Sequence, residues 1–103
     1  MSCQTTKTPE GFLVQLESPV RPDLSLELSE TLHRLMEQKQ ARVVLDLKGV
    51  AFIDSSALGL IIFASKRLQQ NNGQLCIKNP SPAIAELLED SGTDKIITIL
   101  KED

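Results

Sequence analysis

Hydrophobic and polar positions follow two different periods in the first part of the chain. Residues 4–8 and 12–16 are short strand-like runs, separated by a turn at Pro9-Glu10-Gly11. From Asp23, a fair helix N-cap, apolar residues recur every three or four positions as far as about Lys39. The stripe that they form comprises Leu24, Leu28, Leu32, Leu35 and Met36. A hairpin followed by an amphipathic helix is therefore predicted.

The second part alternates buried strands with helices. Residues 42–47 form a continuous, β-branched run that is typical of a strand covered on both faces. The elements predicted after it are a helix at 56–71, a strand at 74–78, a helix opening at Ser81-Pro82 and a strand at 96–100. Strands that alternate with helices indicate parallel crossovers. The predicted fold class is α/β, a mixed and mostly parallel sheet of about five strands with three helices.

Length and composition restrict the function classes. A chain of 103 residues allows one domain, spanning 1–103. Eleven Lys and Arg against fourteen Asp and Glu give a net charge of −3, which argues against direct nucleic-acid binding. The longest apolar run, 57–64, is too short for membrane insertion. Two cysteines and no signal peptide pattern suggest a reduced, cytoplasmic protein.

Polar residues that could form a functional site lie between the third strand and the second helix. Asp54-Ser55-Ser56 stand where a strand's carboxyl end leads into a helix N-terminus, the usual place for a working site in such sheets. The free N–H groups and positive pole of a helix start would stabilise a phosphate on a serine there. Simple capping explains the same residues, and Ser56 is the expected cap.

A catalytic role for Ser55 is poorly supported. A nucleophilic serine needs a base within reach, and His33, the single histidine, lies in a helix between apolar positions. Ile53 and Ala57 replace the glycines of Gly-x-Ser-x-Gly, and no glycine-rich phosphate loop is present. A single histidine excludes two-histidine metal sites, and two cysteines cannot complete a zinc site alone, so no metal site is predicted. We therefore predict no enzyme, no catalytic residues and no cofactor, with a small esterase or phosphatase as a remote alternative.

Several segments together resemble the STAS family, the anti-sigma factor antagonists. The resemblance covers about residues 12–100 and is most specific where Asp-Ser-Ser follows a buried strand. The segments that carry it are 43–47, 52–59, 72–75, 79–83, 88–92 and 95–97. It implies a single STAS-like domain.

The resemblance also implies a switch. In this family an unmodified antagonist binds an anti-sigma factor that is also a serine kinase, and so indirectly controls transcription. The kinase phosphorylates the serine after the motif's aspartate, which ends binding, and a PP2C-type phosphatase reverses the change. Carried onto this chain, the acceptor is Ser55, and the partner-binding residues are Asp54, Ser55, Ser56 and Ala57. ATP and magnesium belong to the kinase.

Departures from the family pattern leave alternatives open. The turn at 17–22 is atypical, and the usual C-terminal helix is missing, which exposes a flank of the sheet and leaves room for a weak homodimer. The rival function is a scaffold subunit that is not phosphorylated, within a larger assembly such as a lipid-transport ATPase complex. Three further residues receive structural interpretations: Gly59 in close helix packing, Asp46 facing solvent or a neighbouring amide, and Cys76 in the core.

Overall fold

The computed structural model describes residues 3–9, 11–17, 22–50 and 52–100. The atypical turn at 17–22 and the predicted absence of a helix after residue 100 fall largely outside this part. Five strands, three helices and a short 3-10 turn (Thr93–Lys95) follow one another within it. In chain order they are β1 (Cys3–Thr8), β2 (Gly11–Glu17), α1 (Pro22–Met36), β3 (Arg42–Gly49), α2 (Ser55–Gln70), β4 (Gln74–Lys78), α3 (Pro82–Asp90) and β5 (Thr98–Leu100).

The five strands form one sheet in which spatial order equals chain order, β1-β2-β3-β4-β5. β1 and β2 pair antiparallel, whereas β2–β3, β3–β4 and β4–β5 are parallel. A parallel partner must start from the same end of the sheet, so a helix carries the chain back between each parallel pair. The predicted mixed, mostly parallel sheet of five strands with three helices is confirmed.

A row of fully buried side chains crosses the middle of the sheet. Val14, Leu45 and Ile77 are register partners on β2, β3 and β4, and each is 0% exposed. They belong to one hydrophobic cluster with Ile61 and Leu68 of α2. The apolar face of α2 therefore packs against the sheet and fixes how this helix is placed at the end of β3.

The opposite face of β3 is covered only in part. Val44 is half-buried, whereas Leu45, Asp46 and Leu47 are consecutive buried residues. The prediction that the strand at 42–47 is covered on both faces is therefore wrong for its first half and correct for residues 45–47. Cys76, the register partner of Val44, is fully buried, as predicted.

The first helix differs from its prediction at both ends. It begins at Pro22, so Asp23 lies inside the first turn instead of capping it. Proline suits the first helical position because its missing N–H would have no acceptor there. The helix ends at Met36, before the predicted Lys39, and the left-handed φ of 57° at Gln40 shows that the chain has turned away.

The last helix begins as predicted, while the last strand is shorter. Ser81 is the N-cap of α3 and Pro82 its first residue. β5 begins at Thr98 rather than Ile96, because the N–H groups of the two preceding isoleucines both donate to the carbonyl of Thr93. Those donors close the 3-10 turn and are not free to pair with β4.

Candidate functional site

The segment between β3 and α2 lies at the carboxyl end of the central strand of the sheet. Ile53 is 1% exposed and anchors this segment in the core, whereas Asp54, Ser55 and Ser56 after it are exposed. In parallel α/β sheets, this end of the strands is where helix N-termini and binding residues collect. The sequence prediction of an exposed polar cluster here is confirmed in its position.

Asp54 is the N-cap of α2. Its backbone is extended, with φ −89° and ψ 176°, and its Oδ1 accepts a hydrogen bond from the Ala57 N–H at 2.8 Å. Its carbonyl oxygen accepts from the Leu58 N–H at 3.0 Å, which is the first intrahelical bond. The expectation that Ser56 caps the helix is wrong: the helix begins at Ser55, so Ser56 lies inside its first turn.

Replacing Asp54 tests this cap. We expect Asp54→Ala to lower the free energy of unfolding by about 1 kcal/mol, because the Ala57 N–H loses its acceptor. The matched control is Asp54→Asn, which keeps a capping oxygen and should retain most of the stability. Urea unfolding followed by far-UV circular dichroism measures both variants. Equal losses in the two variants would contradict a capping role.

Two serines stand at the start of the capped helix. Ser55 and Ser56 are exposed, and within the described part of the chain no hydrogen bond holds the Ser55 hydroxyl. Their backbone N–H groups are among the donors that any helix leaves unpaired in its first turn. Ala57 differs, because its side chain is 0% exposed. Of the predicted partner-binding residues, Asp54, Ser55 and Ser56 therefore present side chains to solvent, and Ala57 does not.

The outer face of α2 continues from Ser55 through Gly59 to Phe63. A Cβ added at Gly59 would meet no atom within 4 Å, so the interpretation of Gly59 as a close-packing residue is wrong. Phe63 is 51% exposed, and Phe52, just before the cap, is 56% exposed. Sequence reasoning missed both aromatic residues as surface features. For Phe63 the sequence offers no clear signal, because positions 57–64 form one apolar run in which the helical period is hidden.

His33 is exposed on α1, as expected, and its hydrogen bond and ring contact go to Ser29 and Phe63. Its Nδ1 donates to the Ser29 carbonyl oxygen at 2.8 Å, and its ring centroid lies 6.2 Å from that of Phe63. A nucleophilic serine requires a base within hydrogen-bond reach. His33 forms no hydrogen bond with the Ser55 hydroxyl and so is not placed to act as its general base.

Asp46 is buried in the second half of β3, so of its two predicted surroundings solvent is wrong and a neighbouring amide is correct. Its Oδ1 accepts hydrogen bonds from the Lys48 N–H at 3.0 Å and from Nδ2 of Asn79 at 3.3 Å. Asp46 also lines an open cavity of about 450 Å³ together with Gln4 and Gln15. Because its bonds join the ends of β3 and β4, the position of this carboxylate is explained by the fold.

Two other kinds of site, a metal centre and a membrane span, concern the described residues as a whole. No group of three or more His, Cys, Asp or Glu side chains there could hold a metal ion. The helices of the same residues are too short or too polar to cross a membrane.

Comparison with known proteins places this geometry in a family. The family model for the STAS domain matches residues 3–102. An anti-sigma F factor antagonist from Paenibacillus polymyxa is 32% identical over 74 residues, which cover 72% of this chain and 61% of that protein. An anti-sigma-B factor antagonist from Staphylococcus aureus is 30% identical over 99 residues, covering 96% of this chain and 92% of the relative.

Solved structures show the same fold. The anti-sigma factor antagonist SpoIIAA in its unphosphorylated form matches with a TM-score of 0.84 at 18% identity, over 99% of this chain and 89% of that one. The Bacillus cell fate determinant SpoIIAA in its phosphorylated form matches with a TM-score of 0.81, also at 18% identity, over 99% and 92% of the two chains. At 18% identity, these two matches show that the fold is shared and nothing about a shared function.

Proposed function

Because the chain belongs to the STAS domain family, we propose that it is an anti-sigma factor antagonist whose binding is switched off by phosphorylation of Ser55. Unmodified, it binds an anti-sigma factor that is also a serine kinase. The kinase transfers a phosphoryl group to Ser55, and a PP2C-type phosphatase removes it. The names of the two relatives and the phosphorylated form of the structural neighbour support this proposal.

One observation carries the choice of residue. Ser55 is exposed, is the first residue of α2, and has a hydroxyl that the described residues leave unbonded. An incoming kinase can therefore reach this oxygen without unfolding the domain. A phosphate at the first helical position also meets the positive end of the helix dipole, so the folded domain tolerates it.

The chain's own contribution to the transfer is small. It supplies the attacking hydroxyl, while the base, ATP and magnesium belong to the kinase. Asp54 fixes the start of the helix through its bond to the Ala57 N–H, and so fixes the backbone that carries Ser55. The aspartate is thus a positioning residue, and its carboxylate stands beside the place where the phosphate arrives.

The experiment is a phosphoryl-transfer assay. The protein is incubated with ATP, magnesium and each purified anti-sigma serine kinase encoded in the same genome, and its intact mass is measured. We expect a gain of one phosphate in the wild type and in Ser56→Ala, the matched control, and none in Ser55→Ala. A phosphate that survives Ser55→Ala contradicts the assignment. Stable binding without any transfer favours the scaffold function instead.

A further inference from the structure

The outward side of α2 carries apolar side chains as well as the serines. Phe63 lies two turns beyond Ser55 on the same face, with Gly59 one turn from each, and Phe52 stands before the cap. The two rings are more than half exposed, at 51% and 56%. Large aromatic side chains that stay exposed on a small domain often mark a place where another protein binds.

The neighbourhood of Phe63 has further properties that a partner can read. Since Ser29 offers a carbonyl oxygen, Nδ1 of His33 must be the donor in their 2.8 Å bond, which leaves Nε2 of a neutral ring as an acceptor. Lys66 and Arg67, both exposed, follow Phe63 by three and four residues and so flank it on the helix. Although the whole protein has a net charge of −3, the surface of α2 around Phe63 is therefore locally basic.

Phe63 is close enough to Ser55 for one partner protein to cover both residues. Eight residues of helix separate Ser55 from Phe63 by about 12 Å. A standard interface covers about 800 Å² on each partner, a patch roughly 30 Å across. A protein that closes over Ser55 therefore also covers Gly59 and Phe63.

We infer that the exposed stripe Phe52–Gly59–Phe63 holds the anti-sigma kinase, whose surface offers an apolar pocket for Phe63 and an acidic rim for Lys66 and Arg67. This inference rests on the proposed function and assigns a division of labour within it. Phe63 supplies affinity, whereas Ser55 sets whether docking is allowed. Gly59, whose surroundings are empty, lets the partner's backbone approach the helix closely.

The experiment measures binding of the purified kinase to four variants of the full chain by titration calorimetry. Phe63→Ala removes the anchor, and its control is Ile96→Ala, which truncates another exposed apolar side chain, 47% exposed, near β5. Gly59→Gln adds bulk to the stripe, and its control is Ala85→Gln on an exposed position of α3. We expect Phe63→Ala and Gly59→Gln each to raise the Kd at least tenfold and the controls to change it less than twofold.

Two readouts separate docking from folding and from the proposed function. Gly59→Gln should melt no lower than the wild type, because glutamine is the better helix former. At saturating concentration, Phe63→Ala should still accept phosphate on Ser55 at the wild-type rate, with only the KM raised. Unchanged Kd values for Phe63→Ala and Gly59→Gln, beside normal phosphorylation of the wild type, overturn this inference alone. A kinase that neither binds nor phosphorylates the wild type overturns the proposed function and this inference together.

Discussion

Phosphorylation of Ser55 is expected to raise the Kd for the anti-sigma partner by about two to three orders of magnitude. A closed interface would bury the phosphate dianion beside Asp54, whose carboxylate is already committed to the Ala57 N–H. Burying a charge without a partner costs several kcal/mol, and each 1.4 kcal/mol is a factor of ten. The fold itself does not have to change, because a phosphate at a helix start is tolerated.

Titration of the partner with the unmodified and the singly phosphorylated protein measures this effect. Ser55→Ala carried through the same kinase reaction is the control and should bind as before. The loss should appear mainly as faster dissociation, since a charge at the rim of an interface acts instead on association and on salt dependence. A phosphorylated protein that keeps the Kd of the unmodified form would refute the switch.

Truncation of Leu45 is expected to have the largest effect on stability. Leu45 is 0% exposed between Val14 and Ile77 on the central strand, and the helices cover the face that it shares with them. We expect Leu45→Ala to lower the free energy of unfolding by about 3 to 4 kcal/mol, because it removes buried methyl groups and leaves a cavity. For a domain of this size, that is a large part of the total stability.

The adjacent residue provides the control for this substitution. Val44 points to the other face of β3 and is half-buried, so Val44→Ala should cost about 1 kcal/mol. Urea unfolding of both variants gives the two free energies with the same probe. Equal losses would contradict the assignment of the core to the helix-covered face of the sheet.

The architecture could be predicted because its signals are local. The β-branched run of β3 and the spacing of apolar residues in α1 are visible in short stretches of sequence, and alternation of the two element types is enough to predict parallel crossovers. The position of the Asp54–Ser56 cluster could be predicted in the same way. It depends only on where one strand ends and the next helix begins, and both are visible in the sequence.

Other features depend on geometry that the sequence does not display. Asp54 and Ser56 are both good capping residues, and only the exact start of the helix decides between them. Gly59 and Phe63 lie in an uninterrupted apolar run, 57–64, where every residue resembles core and the helical period is hidden. Burial of Ala57 and Ile61 fixes the inward face of the helix, and this leaves Gly59 and Phe63 on the outside.

The strand order has a consequence for how the protein is made. Each strand pairs with the one synthesised just before it, so none has to insert between two strands that are already joined. The sheet can grow at a single edge as the chain leaves the ribosome at about 5–20 residues per second. Each parallel pairing closes a loop that contains a single α-helix, which costs less entropy than pairing with a strand further along the chain. The strands beside the Ser55 end of the sheet can thus pair before the last strand joins them.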